Sequence, residues 1–261
     1  MKSPLNYLGG KSKLAKQVVE MIPMDHACYV EAFCGAAWVL FAKERSKAEV
    51  INDMDRELVT FWRVVQNHLD PFLDYFKHAV TSREIFRLEK LKRPETLTDI
   101  QRAARYYYLQ RLAFGGKPMD RHFGTSTTGS SPFNIANAAE MLMEVHWRMD
   151  GVVIECMSAF ECIQRYDRPH TVFYLDPPYY GLCQDYVAKF AHEDFIQLRK
   201  LLDGVKGRFI LSLNDCPEVR QIFDGFKIKR TAITYTLANA HADQTGSRAK
   251  ERGELLIHNL T

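Results

Sequence analysis

No apolar run in this 261-residue chain approaches the length of a membrane span, so no transmembrane helix is expected. The opening residues, Met1-Lys2-Ser3-Pro4-Leu5-Asn6, lack the apolar core of a secretory leader. Six cysteines, at 28, 34, 156, 162, 183 and 216, include no Cys-x-x-Cys and no Cys/His cluster at zinc spacing. That argues against a metal and for reduced thiols with packing roles, as in a cytoplasmic protein. Excess charge is scarce too: a net +3 permits a polyanionic partner without demanding one. Its distribution is uneven, with 13 Lys and Arg against 8 Asp and Glu between Arg56 and Ser131. A solvated helical face explains such a bias as readily as a binding surface does.

What the chain does have is strand and helix alternation at both ends, with strandless sequence between. Thr171-Val172-Phe173-Tyr174-Leu175 is a β-branched and aromatic run of the kind that forms a buried strand. Asp176-Pro177-Pro178-Tyr179 follows directly, at the strand end where open α/β sheets bind ligands. Two prolines stiffen the turn and remove two backbone donors, leaving carbonyls free to meet something other than sheet partners. The chemistry that fits is methylation of a planar exocyclic amine, a poor nucleophile whose lone pair is delocalised into its ring. The Asp176 carboxylate and the Pro177 carbonyl can accept hydrogen bonds from such an amine and favour tetrahedral geometry, while Tyr179 offers a stacking face. A proline-punctuated loop with a helix-capping Asp is the competing reading.

Three earlier stretches bear on the choice. Asn6-Tyr7-Leu8-Gly9-Gly10-Lys11 precedes a helical segment from Leu14 to Met21, and paired glycines there let backbone approach a ligand. Cys28-Tyr29-Val30 reads as a strand, followed by Glu31-Ala32-Phe33-Cys34-Gly35-Ala36-Ala37 and a helix from Trp38 to Lys43, the layout of a nucleotide-binding βα unit. A second strand, Glu49 to Asp53, ends in an acid 18 residues beyond Gly35, about the interval at which such sheets place a ribose-binding carboxylate. Asp55 competes for that role, with helix capping as its other use.

Taken in order, these motifs resemble the Dam-like adenine-N6 DNA methyltransferases of the alpha group, and the resemblance covers nearly the whole chain. It implies a Rossmann-like, S-adenosylmethionine-dependent methyltransferase sheet with a terminal antiparallel hairpin and an inserted, mainly helical target-recognition domain. The catalytic domain is then 1–55 and 150–261, and the insertion 56–149. By the same resemblance Tyr7, Lys11, Gly35, Asp53 and Asp176 hold the cofactor, and Asp176, Pro177 and Tyr179 act on a flipped adenine of double-stranded DNA. A monomer acting without a metal is expected. The family pattern Phe-x-Gly-x-Gly places its second glycine where this chain has Ala37, so the turn is expected to avoid positive φ there. Family members place an Asp near the cofactor's adenine where this chain has Ala159, leaving that contact absent or supplied by Ser158.

Within the insertion, Phe61 to Leu73, Ile85 to Leu91 and Ile100 to Leu112 show helical spacing, the last with Asp99 as a cap. Arg105 and Arg111 alternate with Tyr106, Tyr107 and Tyr108. Such tyrosines are expected to pack inward and the arginines to meet phosphates. Lys117 and Arg121 lie in the stretch where the family keeps its base-reading hairpin and are likewise expected to contact nucleic acid. GATC-specific members carry Asn-Gly-Leu-x-Arg where this chain has Gly115-Gly116-Lys117-Pro118-Met119, and losing that Arg predicts a different or relaxed site preference. Tyr186 and Phe190 are expected over the active site. A helix from Ile135 to Met149, a strand at Val152 to Ile154, and a hairpin of Phe226 to Tyr235 with Glu254 to Ile257 complete the chain; the hairpin loop carries Arg248, Lys250 and Arg252, which either contact DNA backbone or are merely solvated. Methylation of adenine in RNA, or nucleic-acid binding without catalysis, are the alternatives.

Overall fold

The computed structural model of the protein describes residues 1–6, 14–116, 121–125, 133, 135–181, 190–233 and 252–260. Tyr7, Lys11, Lys117, Tyr186, Arg248 and Lys250 lie outside them. Seven strands form one sheet: β1 (Cys28–Glu31), β2 (Ala48–Asn52), β3 (Val153–Glu155), β4 (Thr171–Leu175), β5 (Arg208–Asn214), β6 (Lys227–Ile233) and β7 (Arg252–His258). Their order is β3-β2-β1-β4-β5-β7-β6. The first five lie parallel to their neighbours, and β7 runs antiparallel to both β5 and β6. The expected terminal hairpin is therefore present, with its later strand inserted into the sheet.

Every residue of β4 is buried, because helices cover both faces of a parallel sheet. The pleat sends Val172 and Tyr174 into one apolar layer and Phe173 and Leu175 into the other. The first layer holds α1 (Ala15–Met21), α2 (Trp38–Ala42), α3 (Arg56–Asn67), α4 (Leu69–Tyr75), α5 (Arg83–Leu91), α6 (Asp99–Leu112) and α7 (Ile135–Met149). The second is built by α8 (Ala159–Tyr166), α9 (His192–Asp203) and α10 (Pro217–Ile222). Leu58, Phe61, Trp62 and Val65 of α3 share one core with Tyr29 and Ile51 of the sheet and with Tyr106 and Tyr107 of α6. Apolar packing thus runs continuously across the 55/56 junction, and the tyrosines do point inward.

Three local expectations are corrected. Phe61 to Leu73 is not one helix: the chain breaks at His68 (φ −140°, ψ 42°), which separates α3 from α4. The cap of α6 is Thr98 rather than Asp99, since its side chain accepts from the Gln101 amide and Gln101 reciprocates. Ala37 does adopt positive φ (51°). Its amide donates to the Cys34 carbonyl at 2.6 Å to close the turn into α2, and that closure holds the backbone left-handed at a cost of about 1–2 kcal/mol.

Near the amino-terminal ends of the parallel strands, Glu49 is buried between two cations. Lys43 Nζ lies 2.5 Å from Oε1 and Arg148 Nη1 2.5 Å from Oε2, and Arg148 also donates to the Leu40 carbonyl. Burial pushes the Glu49 carboxyl up, but hydrogen bonds from Arg148, Lys43 and the Ser46 amide prevail and hold it below its usual range. This cluster clamps α7 to β2 and α2.

Candidate active site

The candidate site residues lie at the carboxyl ends of β1, β2, β4 and β5 and the amino end of β7. On the β2 side, Asp53 Oδ2 accepts from the Gly35 amide at 3.0 Å and Oδ1 from the Asp55 amide at 3.0 Å. Burial raises the Asp53 carboxyl to about 6, with the Asp55 charge adding to the shift against these backbone donors. Asp55 serves as the cap of α3, accepting from the Glu57 and Leu58 amides. Gly35 has φ 46°, and its carbonyl accepts from Trp62 Nε1 at 3.2 Å. So α3 braces the loop from below.

Two polar residues here escaped the sequence reading. Asn52 donates to the Ala32 and Met157 carbonyls and accepts from the Met157 amide, tying the loops after β1 and β3 together. Glu31, at the end of β1, is 1% exposed and accepts from Tyr29 Oη at 2.8 Å and the Leu40 amide at 2.6 Å. Burial raises it to about 7, and the nearby Asp176 carboxylate adds to the rise. A lone acid closing an otherwise apolar strand is the signal that marks it.

On the β4 side, Asp176 follows the strand directly and Ser212 Oγ donates to its Oδ1 at 2.9 Å. Ser212 also meets Tyr174 Oη at 3.1 Å. Pro177 and Pro178 are buried. Tyr179 Oη donates to Glu254 Oε1 at 2.6 Å. The Tyr180 amide donates to Asn214 Oδ1, and Asn214 Nδ2 returns a bond to the Tyr180 carbonyl. Polar side chains from β5 and β7 therefore fasten the whole turn.

The remaining positions divide. Phe190 is 6% exposed and packs between Phe33, Phe160 and Phe195, as part of the second apolar layer. Ser158 caps α8 by accepting from the Phe160 amide, which leaves its O–H donor available. Arg105 is turned inward, donating to the Glu89 carbonyl at 2.7 Å and lying 3.7 Å from Glu57, with its side chain 10% exposed. Arg111 reaches the Pro4 carbonyl and Asn6 Oδ1. Arg121 lies over the Tyr106 ring and donates to Gln110 Oε1. Gln110, fully buried, donates in turn to the Asn6 and Gly116 carbonyls. Among the described residues no group of three or more His, Cys, Asp or Glu is placed to hold a metal ion, and no helix is long and apolar enough to cross a membrane.

A model of the D12 class N6 adenine-specific DNA methyltransferases matches residues 7–237. The chain is 25% identical over 233 residues to the type II methyltransferase M.CviBI of Paramecium bursaria Chlorella virus NC1A, covering 87% of this chain and 88% of that protein. It is 22% identical over 256 residues to a DNA adenine methylase of Haemophilus influenzae, covering 90% and 87%. A type II methyltransferase of Methanocaldococcus jannaschii, M.MjaIII, is 24% identical across 98% of both chains.

Proposed function

The chain belongs to the D12 class N6 adenine-specific DNA methyltransferase family, and from that premise we propose that it methylates N6 of an adenine swung out of double-stranded DNA, with S-adenosylmethionine as donor. The observation that carries the proposal is the stiff Asp176-Pro177-Pro178-Tyr179 turn at the end of β4, its carboxylate aimed by Ser212 across the sheet from the Asp53 pocket.

The donor set of that pocket suits the cofactor. An ionised carboxylate has about four lone-pair sites, and the Gly35, Asp55 and Met54 amides already donate to Asp53, which leaves it able to accept from a ribose hydroxyl. The left-handed turn at Gly35 and Ala37 brings backbone close to the bound group. Tyr7, Lys11, Gly35, Asp53 and Asp176 are the residues assigned to hold it. When bound, the cofactor supplies a methyl already activated on a sulfonium, so the reaction as proposed calls on no metal.

Asp176 and the Pro177 carbonyl accept from the two amine hydrogens, draw the nitrogen lone pair out of conjugation and hold it in line for attack. Fixing the partners in this way supplies much of the rate. Tyr179 stacks on the base, and roughly 1–3 kcal/mol of stacking offsets part of the few kcal/mol that unstacking costs. Lys117, Arg111 and Arg121 are assigned to DNA. Arg105, committed to Glu57 and the Glu89 carbonyl, is assigned to holding α5 against α6.

The test is methyl transfer to unmethylated duplex DNA with modified adenines mapped base by base, and Asp176→Ala as control. Methylation in one short motif, lost in the variant, gives a site-specific enzyme; methylation in many contexts gives a permissive one. Transfer to RNA but not to duplex DNA would overturn the proposal.

A further inference from the structure

We propose that Glu254 is a positioning residue that sets the plane of the Tyr179 ring for the incoming base. The inference rests on the reading of Tyr179 as the stacking face. Glu254 lies on β7 with Asn214 of β5 on one side and Thr231 of β6 on the other, and it is 1% exposed. A carboxylate so deep in a sheet is costly unless it is hydrogen-bonded. The phenol of Tyr179 meets it at 2.6 Å, the short separation of a charge-assisted O–H···O⁻ bond.

Geometry explains why this bond bears on catalysis. A tyrosine has two side-chain torsions, and a ring held only at its root still swings about both. Here the backbone beyond the root is pinned, since the Tyr180 amide and carbonyl both bond Asn214. The two prolines before it lock their own φ. The remaining freedom lies in the side chain: the Glu254 bond anchors the far end of the ring, which restrains the first torsion, and because a conjugated phenol O–H lies in the ring plane, the direction of its acceptor also biases the second. Asn214 and Glu254 are direct partners across β5 and β7, so one rung of the sheet holds both the root and the tip of the ring. The same two strands aim the reacting carboxylate through Ser212, whose partner on β7 is Leu256. The base-facing plane and the amine-facing acid are thus referenced to a single frame, which a stacking residue on a mobile loop would lack.

The experiment is a double-mutant cycle on methyl transfer, with single-turnover rates and cofactor affinity measured for each variant. A duplex carrying 2-aminopurine at the target adenine reports stacking. Tyr179→Phe and Glu254→Leu should each lower the rate roughly tenfold to a hundredfold, the range expected for one hydrogen bond to a charged group, with cofactor affinity unchanged. Combined, they should be no worse than either alone, because each breaks the same bond. Glu254→Gln, which still accepts from the phenol, should recover most of the rate. In the 2-aminopurine complex, Glu254→Leu and Tyr179→Phe should show the same increase in fluorescence as the ring loses its fixed plane.

Losses that multiply in the double variant would overturn the proposal, as would a Glu254→Leu enzyme with normal rate and fluorescence. A loss confined to cofactor affinity would make Glu254 structural. If Glu254→Leu does not fold, the cycle of Tyr179→Phe with Glu254→Gln decides: Tyr179→Phe must slow transfer and Glu254→Gln must not. Tyr179→Ala separates the two readings. If it leaves the rate and the 2-aminopurine signal unchanged, the stacking role itself is wrong; if it lowers both while Glu254 variants do nothing, only the positioning claim fails.

Discussion

Replacing Asp53 by Asn should change how cofactor binding responds to pH. The wild-type carboxyl is raised to about 6 by burial, against a usual 3.8, and diol hydroxyls bind the ionised form. Cofactor affinity should therefore be flat above about pH 7 and weaken about tenfold per unit below 6. Stability of the free protein moves the other way. A raised carboxyl contributes stability that is complete below its unfolded value and is lost as pH rises through the folded one, so this contribution falls between about pH 4 and 6. In Asp53→Asn one of the Gly35 and Asp55 amides loses its acceptor, and the diol meets a neutral amide. At pH 8 the affinity loss should be about 10- to 100-fold, as for one or two hydrogen bonds to a charged group. Calorimetric titration of the cofactor from pH 5 to 8, beside thermal denaturation at each pH, reads both trends. Glu31, raised to about 7, titrates in both proteins and cancels in the comparison. Wild-type affinity that is flat across this range, or a variant that keeps the wild-type slope, would refute the assignment.

Ala37→Gly relieves about 1–2 kcal/mol of left-handed backbone, but forfeits about 0.8 kcal/mol of buried methyl and about 0.4–1 kcal/mol through the freer unfolded chain. Urea denaturation should place it within about 1 kcal/mol of wild type, with cofactor binding intact. Glu49→Ala leaves Lys43 and Arg148 buried without their carboxylate and should cost about 3–5 kcal/mol, seen as a lower urea midpoint. Arg105→Ala should lower the melting temperature and leave the salt dependence of DNA binding unchanged, whereas Lys117→Ala should reduce the slope of log K against log salt by about 1.

The fold was legible where one residue pattern had one physical outcome. Thr171 to Leu175 reads as a fully buried strand because only a sheet covered on both faces tolerates such a run. The placement of β7 between β5 and β6 did not emerge from the hairpin alone, although a signal was present: Lys227, Lys229 and Arg230 suit an edge strand, and Leu255-Leu256-Ile257 suits an interior one. At Ala37 the general aversion of non-glycine residues to positive φ was outweighed by the closure of the turn. Arg105 read as a phosphate ligand because its partner, Glu57, lies on another helix, and helical spacing says nothing of that. Asn52, Ser212, Asn214 and Glu254 share one trait that was readable, a polar side chain within or at the end of an apolar strand. What each one holds depends on the neighbouring strand, and register is not written locally.

The order in which the sheet is filled differs from the order in which it is made. β7 emerges from the ribosome after the other described strands, yet it occupies an interior slot between β5 and β6. Until residues 252–258 are released, β5 presents an unpaired edge, a template for wrong partners. Tyr179 likewise has no Glu254 to meet. On the roles proposed for Tyr179 and Glu254, methylating competence would arrive only with closure of the sheet, and a stalled or prematurely terminated polypeptide would carry Asp176-Pro177-Pro178-Tyr179 without the frame that aims it.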